Sequence, residues 1–162
     1  MTMFGFVRIS TMVIAAAITL AACGDDEMQA GDWSSRAAGL MCRLKWERPV
    51  EDRSLVLWVR YRVSSRLIME LGRERWPVLR DQNERIPNTV VKIAPNYEQR
   101  GSSVKGLRAR IMTIDKHDAF LTAFAREEGP MSIEFPDERW SVGLDGAAKV
   151  ASHFRKCLAE RP

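Results

Sequence analysis

The sequence predicts an α+β fold, an antiparallel sheet packed against two C-terminal helices, and three observations carry that reading. Within residues 53–65 every second position from Leu55 to Val63 is apolar, with β-branched and aromatic residues enriched. Residues 131–144 have the form of a β-hairpin, two short alternating runs about the turn Pro136-Asp137-Glu138-Arg139. Two apolar stripes at helical spacing flank that hairpin, each behind an aspartate able to cap a helix.

Taken in order, the first strand runs from Arg53 to Ser65, with Leu55, Leu57, Val59, Tyr61 and Val63 on one face and Val56, Trp58, Arg60 and Arg62 on the other. Weaker strands are expected at 66–71 and 76–79, separated by Gly72. Thr89 to Ile93 is a short strand between Pro87 and Pro95. Pro95 to Gly106 gathers Pro, Asn, Gly and Ser and reads as a long loop. Leu107 to Thr113 alternates again. Asp115 is expected to cap a helix whose stripe is Ala119, Phe120, Ala123 and Phe124, ended by Gly129 and Pro130. Asp145 is expected to cap the last helix, with Ala147, Val150, Ala151, Phe154 and Leu158 inward.

The N-terminus has the layout of an export signal. Arg8 supplies the positive flank, and Ile9 to Ala22 is an apolar run of about 14 residues, short of the ~20 needed to cross a bilayer as a helix. It ends in Leu20-Ala21-Ala22-Cys23, followed at once by Gly24-Asp25-Asp26-Glu27. That junction resembles the lipobox of bacterial lipoproteins. The resemblance implies that Cys23 is the lipid-attachment residue and the first residue of the mature chain. It also implies a Gram-negative envelope location, with a palmitate-bearing membrane anchor. Gly24, in place of the Asp associated with inner-membrane retention, implies the outer membrane facing the periplasm rather than the inner membrane. The alternative is an ordinary secretory signal cut near Ala15-Ala16-Ala17. The expected organisation is a signal peptide over 1–22, a flexible tether over 23–32 and a single globular domain over 33–162.

The chain has 3 cysteines, an awkward count for an exported protein. With Cys23 acylated, Cys42 and Cys157 remain as a disulfide pair closing a loop of about 115 residues, worth roughly 4–5 kcal/mol in the chain-entropy model. The alternative is two buried free thiols. Without a Cys-x-x-Cys, a thiol–disulfide enzyme is not expected.

The charge balance, 25 Lys+Arg against 21 Asp+Glu for a net +4, suits a mixed solvated surface near anionic lipid or an acidic partner. Basic residues alternate with acidic and apolar ones, so no nucleic-acid partner is expected. Of the five tryptophans, Trp33, Trp46, Trp58, Trp76 and Trp140, most are expected in the core.

The segment from Asp118 to Cys157 runs helix, hairpin, Trp140-Ser141-Val142-Gly143-Leu144-Asp145-Gly146 and then an alanine-rich helix with Phe154 and Cys157. It is similar to the C-terminal parts of invasion-associated locus B proteins and of accessory lipoproteins of type VI secretion. The resemblance covers about a quarter of the chain, transfers no active residue and implies a binding or envelope-accessory role.

Catalytic and metal-binding patterns are sparse. His117 and His153 are far apart, with no His-x-x-x-His and no cysteine-rich cluster, so no metal and no cofactor are expected. No Gly-x-Ser-x-Gly elbow is present, and the serine pairs 64–65 and 102–103 have no base nearby in sequence. The carboxylate pairs Asp115/Asp118, Glu127/Glu128 and Asp137/Glu138 read as caps and solvated charges rather than an acid–base couple. Lys105, Arg108 and Arg110 offer an anion-binding alternative to a plain surface loop. Tyr97, Arg100 and Lys105 are the expected partner contacts, since Tyr and Arg dominate interface energetics. The function expected is a lipid-anchored periplasmic binding or envelope-accessory protein, not an enzyme. The alternative is an immunity or inhibitor lipoprotein that blocks an envelope-active toxin or hydrolase.

Overall fold

Antiparallel pairing dominates the computed structural model, which describes residues 26–48, 52–60, 64–73, 84–106 and 108–160. The strands are β1 (Asp26–Ala30), β2 (Trp33–Ala38), β3 (Met41–Arg48), β4 (Arg53–Arg60), β5 (Ser64–Gly72), β6 (Arg85–Ile93), β7 (Tyr97–Gly106), β8 (Ala109–Ile114), β9 (Met131–Glu134) and β10 (Arg139–Val142). The helices are α1 (His117–Phe124) and α2 (Ala147–Glu160). All ten strands form one sheet in the order β1-β2-β3-β4-β5-β8-β7-β6-β9-β10. The sheet-plus-helix fold is therefore as expected, with the sheet far larger than the helical layer.

Register explains the core. Trp33, Trp46, Leu55 and Leu71 stand side by side across β2 to β5, and so do Ser35, Leu44, Leu57 and Met69. Every one of these is buried. Period-two side-chain alternation thus turns one face of four neighbouring strands inward. Helix α2 covers that face over β1, β2 and β3, while α1 lies against β6, β7 and α2. Trp33 meets Phe124 edge-on at 4.7 Å, and Phe120 stacks near Phe124 at 6.0 Å. The Cys42–Cys157 disulfide joins β3 to α2, with Cα atoms 6.0 Å apart.

The sheet curls until its first turn meets the chain leaving its last strand. Trp33 Nε1 donates to the Gly143 carbonyl at 2.8 Å. Gly31 and Gly146 make this closure possible. Both have positive φ, and a Cβ on either would strike backbone oxygen, Asp145 at 2.6 Å or Ala30 at 2.4 Å.

Several local expectations are corrected. Asp26–Ala30, expected within the spacer, forms the edge strand β1; it is polar and mostly exposed, and backbone pairing to β2 holds it without any apolar signature. The predicted strand 53–65 is two strands, with Arg60 paired to Ser64, and no Gly, Pro or Asn within 53–65 signals the break. The predicted loop 95–106 contains β7, which pairs along β6 with a shift of register between Ile86 and Thr89. Its polar interior is satisfied locally, Ser103 Oγ lying 2.9 Å from Thr89 Oγ1. Asp115 does not cap α1: Lys116 occupies that position in a left-handed conformation with no side-chain cap. The start of α2 is capped instead by Glu127, whose Oε1 accepts from the Ala148 amide at 2.7 Å. The hairpin at 131–144 forms as β9 and β10. Trp33, Trp46 and Trp140 are core residues, while Trp58 is half-buried on the outer face. The expected strand at 76–79, Trp76, Tyr61 and Val63 lie outside the described residues.

Candidate functional site

The site begins with strand ends. Arg53 opens β4, Gly72 closes β5 with Arg73 just beyond, and Arg108 immediately precedes β8. Pairing of Gly72 with both Ser54 and Ala109 brings these three points together. The Arg73 amide extends the ladder by donating to the Arg108 carbonyl at 3.1 Å. Between them lies a cleft of about 430 Å³, lined by Glu47, Asp52, Arg53, Ser54, Gly72, Arg73 and Arg108.

The turn of the β9–β10 hairpin reaches two of the cleft's arginines. Glu138 there pairs with Arg73 Nη1 and lies 3.9 Å from Arg53 Nη2. The Arg53 guanidinium also sits over the Trp140 ring at 5.2 Å. Behind it, Arg110 is buried on the core face and grips Asp137 with two parallel hydrogen bonds of 2.8 and 2.7 Å. Arg110 also lies 4.4 Å from the Phe135 ring. The Arg110 hydrogen bond lowers the Asp137 pKa from its ordinary value of 3.8, against an opposing effect of burial and with the Arg110 charge adding to it.

Charge counting shows what this end favours. Glu47 is already paired with Lys45. The cleft's remaining lining charges, with Glu138, are Arg53, Arg73 and Arg108 against Asp52 and Glu138, which leaves one positive charge in excess. The Nε of Arg73 is buried without a hydrogen-bond partner. An acidic group entering here meets guanidinium donors already held in place by Glu138, so little side-chain ordering remains to be done on binding.

Among the residues expected to act, Arg108 lines this cleft, Arg110 stands behind it, and Lys105 lies nearby at the end of β7, bound to Glu84 at 2.7 Å. The anion-binding alternative read from sequence thus gathers at one end of the sheet. Arg53, Arg73 and Glu138 were missed, because strands distant in sequence bring them together and no local spacing signals that.

The expected partner contact Tyr97 is corrected. It is 7% exposed, packs edge-on against Phe120 at 5.2 Å, and donates to Gln99 Oε1 and to the Asp115 carbonyl at 2.6 and 3.0 Å. Burial first and the Asp115 charge second push its pKa up to about 12. It is a core residue. Arg100 is exposed, pairs with Glu98 at 2.7 Å and lines a separate groove between β7 and β8. The Cys42–Cys157 pair is present as expected, and Cys23 lies outside the described residues. His153 is held more firmly than expected, with Nδ1 2.9 Å from Ser35 Oγ and Nε2 3.0 Å from Asp26 Oδ2.

Among the described residues, no group of three or more His, Cys, Asp or Glu side chains is placed to hold a metal ion. Comparison with protein-family models, curated proteins and solved structures finds no match for this chain.

Proposed function

We propose that this chain is a lipid-anchored binding or accessory protein of the Gram-negative periplasm, held by Cys23 and presenting the arginine cleft to an acidic group on a protein partner. The observation that supports this reading is that the cleft and Asp26 lie at opposite ends of the sheet. β4 runs from the cleft at Arg53 to Arg60, and the far end of the sheet is where Asp26 begins, three residues after Cys23. Seven steps along a strand span about 23 Å, so the cleft faces away from the anchored end. The Cys42–Cys157 disulfide fits an oxidising compartment. Several acyl chains, at ~0.8 kcal/mol per buried CH₂, make a firm anchor where one chain does not.

The test has two parts. Mass spectrometry of the mature N-terminus is expected to find acylated Cys23, and Cys23→Ser to abolish membrane retention; an unmodified N-terminus in the wild type refutes the anchor. Capture from detergent-solubilised envelope is then compared for the wild type and Arg108→Glu. Arg108 is exposed, so its reversal leaves the thermal midpoint unchanged while weakening capture. Equal capture removes the cleft from the binding surface. A single stoichiometric toxin or hydrolase among the captured proteins would favour the inhibitor reading.

A further inference from the structure

We infer that the wedge between β7 and β8 is a strand-addition site, in which an extended segment of a partner protein displaces the Gln99 side chain and pairs with the open edge of β8. The wedge lies towards the Ile114 end of β8, away from the arginine cleft beside Arg108. Nothing in it depends on acylation of Cys23.

Register opens the wedge. β7 and β8 are paired at Val104 with Ile111, Lys105 with Arg110 and Gly106 with Ala109. Among the described residues, β7 has no β8 partner before Val104, and β8 has no β7 partner after Ile111. Each strand keeps its other neighbour there: Tyr97 to Gly101 continue along β6, and Met112 to Ile114 continue along β5. The two strands therefore part beyond Val104. A groove of about 430 Å³ results, lined in part by Gln99, Ser102, Val104, Ile111 and Thr113.

Backbone direction puts ladder groups into that groove. Successive residues of an antiparallel strand turn their N–H and C=O to opposite neighbours. The Lys105 amide donates to the Glu84 carbonyl, on the β6 side, at 2.9 Å. Ser102, three residues earlier, turns its backbone groups the other way, towards β8. Thr113 turns its own towards β7, where its carbonyl accepts from Gln99 Nε2 at 2.8 Å.

Gln99 shows what the edge accepts. Its side-chain carboxamide donates to the Thr113 carbonyl and accepts from the Asp115 amide, each at 2.8 Å. Those two backbone groups, two residues apart on one edge, are the pair that a residue of a parallel neighbouring strand engages. A primary amide thus stands where a peptide residue would stand, and Gln99 serves as a stopper. The stopper can leave without orphaning its own partner. Tyr97 donates to Gln99 Oε1 but also to the Asp115 carbonyl at 3.0 Å, so the phenol keeps an acceptor. An entering strand replaces both bonds that Gln99 makes to β8 and adds bonds to the Thr113 amide and to Ser102. In strand addition the main-chain bonds supply affinity, and alternate side chains supply selectivity. Val104 and Ile111, opposite each other and half-buried, offer the apolar contact for such side chains.

The experiment immobilises the full-length protein and selects random peptides of about a dozen residues displayed on phage. Recovered peptides are synthesised, and fluorescence anisotropy measures their binding to the wild type, Gln99→Ala and Ser102→Trp. Gln99→Ala is expected to bind several-fold tighter, because the stopper no longer competes. Ser102→Trp, at an exposed position, is expected to keep the thermal midpoint and lose binding. Amide exchange should slow at 113–115 and 100–102 on peptide addition, with 52–54 and 72–73 unchanged. Methylation of single peptide amide nitrogens should abolish binding at every second position and spare those between, the signature of a ladder. Failure to recover any peptide overturns the inference. So does protection elsewhere, equal binding to all three proteins, or methylation effects without alternation. Should Gln99→Ala not fold, Ser102→Trp and the methylation pattern decide alone. Peptide-free protein that sediments as a dimer with 113–115 already protected overturns it as well, by assigning the edge to a second copy of the chain.

Discussion

The two ends of the sheet are built differently. At the cleft end Arg53 and Arg73 share Glu138, Arg110 grips Asp137, and Trp140 and Phe135 lie beneath two of the guanidinium groups. At the end where β1 begins, Arg36 and Arg43 line a hollow with Ala38 and Met41, and Leu40 is exposed at the neighbouring turn. Arginines fixed by carboxylates and rings are ordered before anything binds, which favours one partner geometry over others. An exposed leucine at a turn tip offers apolar area without any such ordering. The contrast teaches that a net charge of +4, counted over the chain, does not tell where arginines are held by carboxylates and rings and where an apolar side chain is exposed.

The largest expected effect comes from the disulfide, and it should fall on one end. Cys42 is next to Met41 in β3, and Cys157 carries α2. Cys157→Ser should lower unfolding stability by roughly 2–5 kcal/mol, since a loop of about 115 residues loses its constraint. Denaturant titration measures the loss. Hydrogen exchange should place the added opening in α2 and β1 to β3, leaving the cleft arginines' strand ends close to the wild type. Uniform loosening of both ends would mean that the disulfide supports the whole sheet. Next in size is Glu138→Ala. Glu138 is 16% exposed at its side chain and answers two arginines. Removing it leaves half-buried guanidinium groups without their carboxylate, at a cost of about 1–3 kcal/mol. The cleft end should suffer while the opposite end, around the β2–β3 turn, keeps its exchange pattern.

The sequence disclosed this fold unevenly, for physical reasons. Apolar alternation located β4, β8 and the β9–β10 hairpin, because each buries one face. β1 and β7 escaped it. β1 is an exposed polar edge, and β7 hides Gly, Ser and Gln among turn-forming residues, held by backbone bonds and by side-chain pairs such as Ser103 with Thr89. Tyr97 was misread with the loop that was expected there. The cap of α2 was equally hidden, since Glu127 precedes that helix by a whole hairpin. The disulfide was legible from cysteine parity alone. Of the cleft, Arg108 and Arg110 were legible as a basic cluster, whereas Arg53, Arg73 and Glu138 meet only through strand order.

A smaller effect tests the corrected place of Tyr97. Tyr97→Phe keeps the ring against Phe120 and removes the hydroxyl that donates to Gln99 and to the Asp115 carbonyl. The loss should be about 1 kcal/mol by thermal melting. The variant should also change the alkaline limb. The native phenol titrates at about 12 against 10.0 for an ordinary tyrosine, so the wild type loses stability as pH rises from 10 towards 12, because the unfolded chain ionises first. The phenylalanine variant should lose that part of the slope, and an unchanged slope would return Tyr97 to the surface.

The smallest effect separates the two ends by pH. Asp137 is 64% exposed at its side chain although Arg110 is only 8% exposed, so solvent screens the pair and Asp137→Asn should cost under about 1 kcal/mol at neutral pH. The direction in acid is nonetheless defined. The folded-state pKa of Asp137 is lowered from 3.8, so above that value both folded and unfolded chains carry the charge and the pair's contribution is fully present. As pH falls below it, the unfolded chain takes up its proton first, and the contribution is lost progressively until the folded carboxyl protonates as well. Melting curves between neutral pH and pH 2 should therefore converge for the wild type and Asp137→Asn as acid is added. The cleft end, where Arg110 reaches the hairpin turn, should account for that convergence. A variant that stays parallel to the wild type throughout would show that Arg110 is held by the Phe135 ring and the surrounding core, with Asp137 merely resting against it.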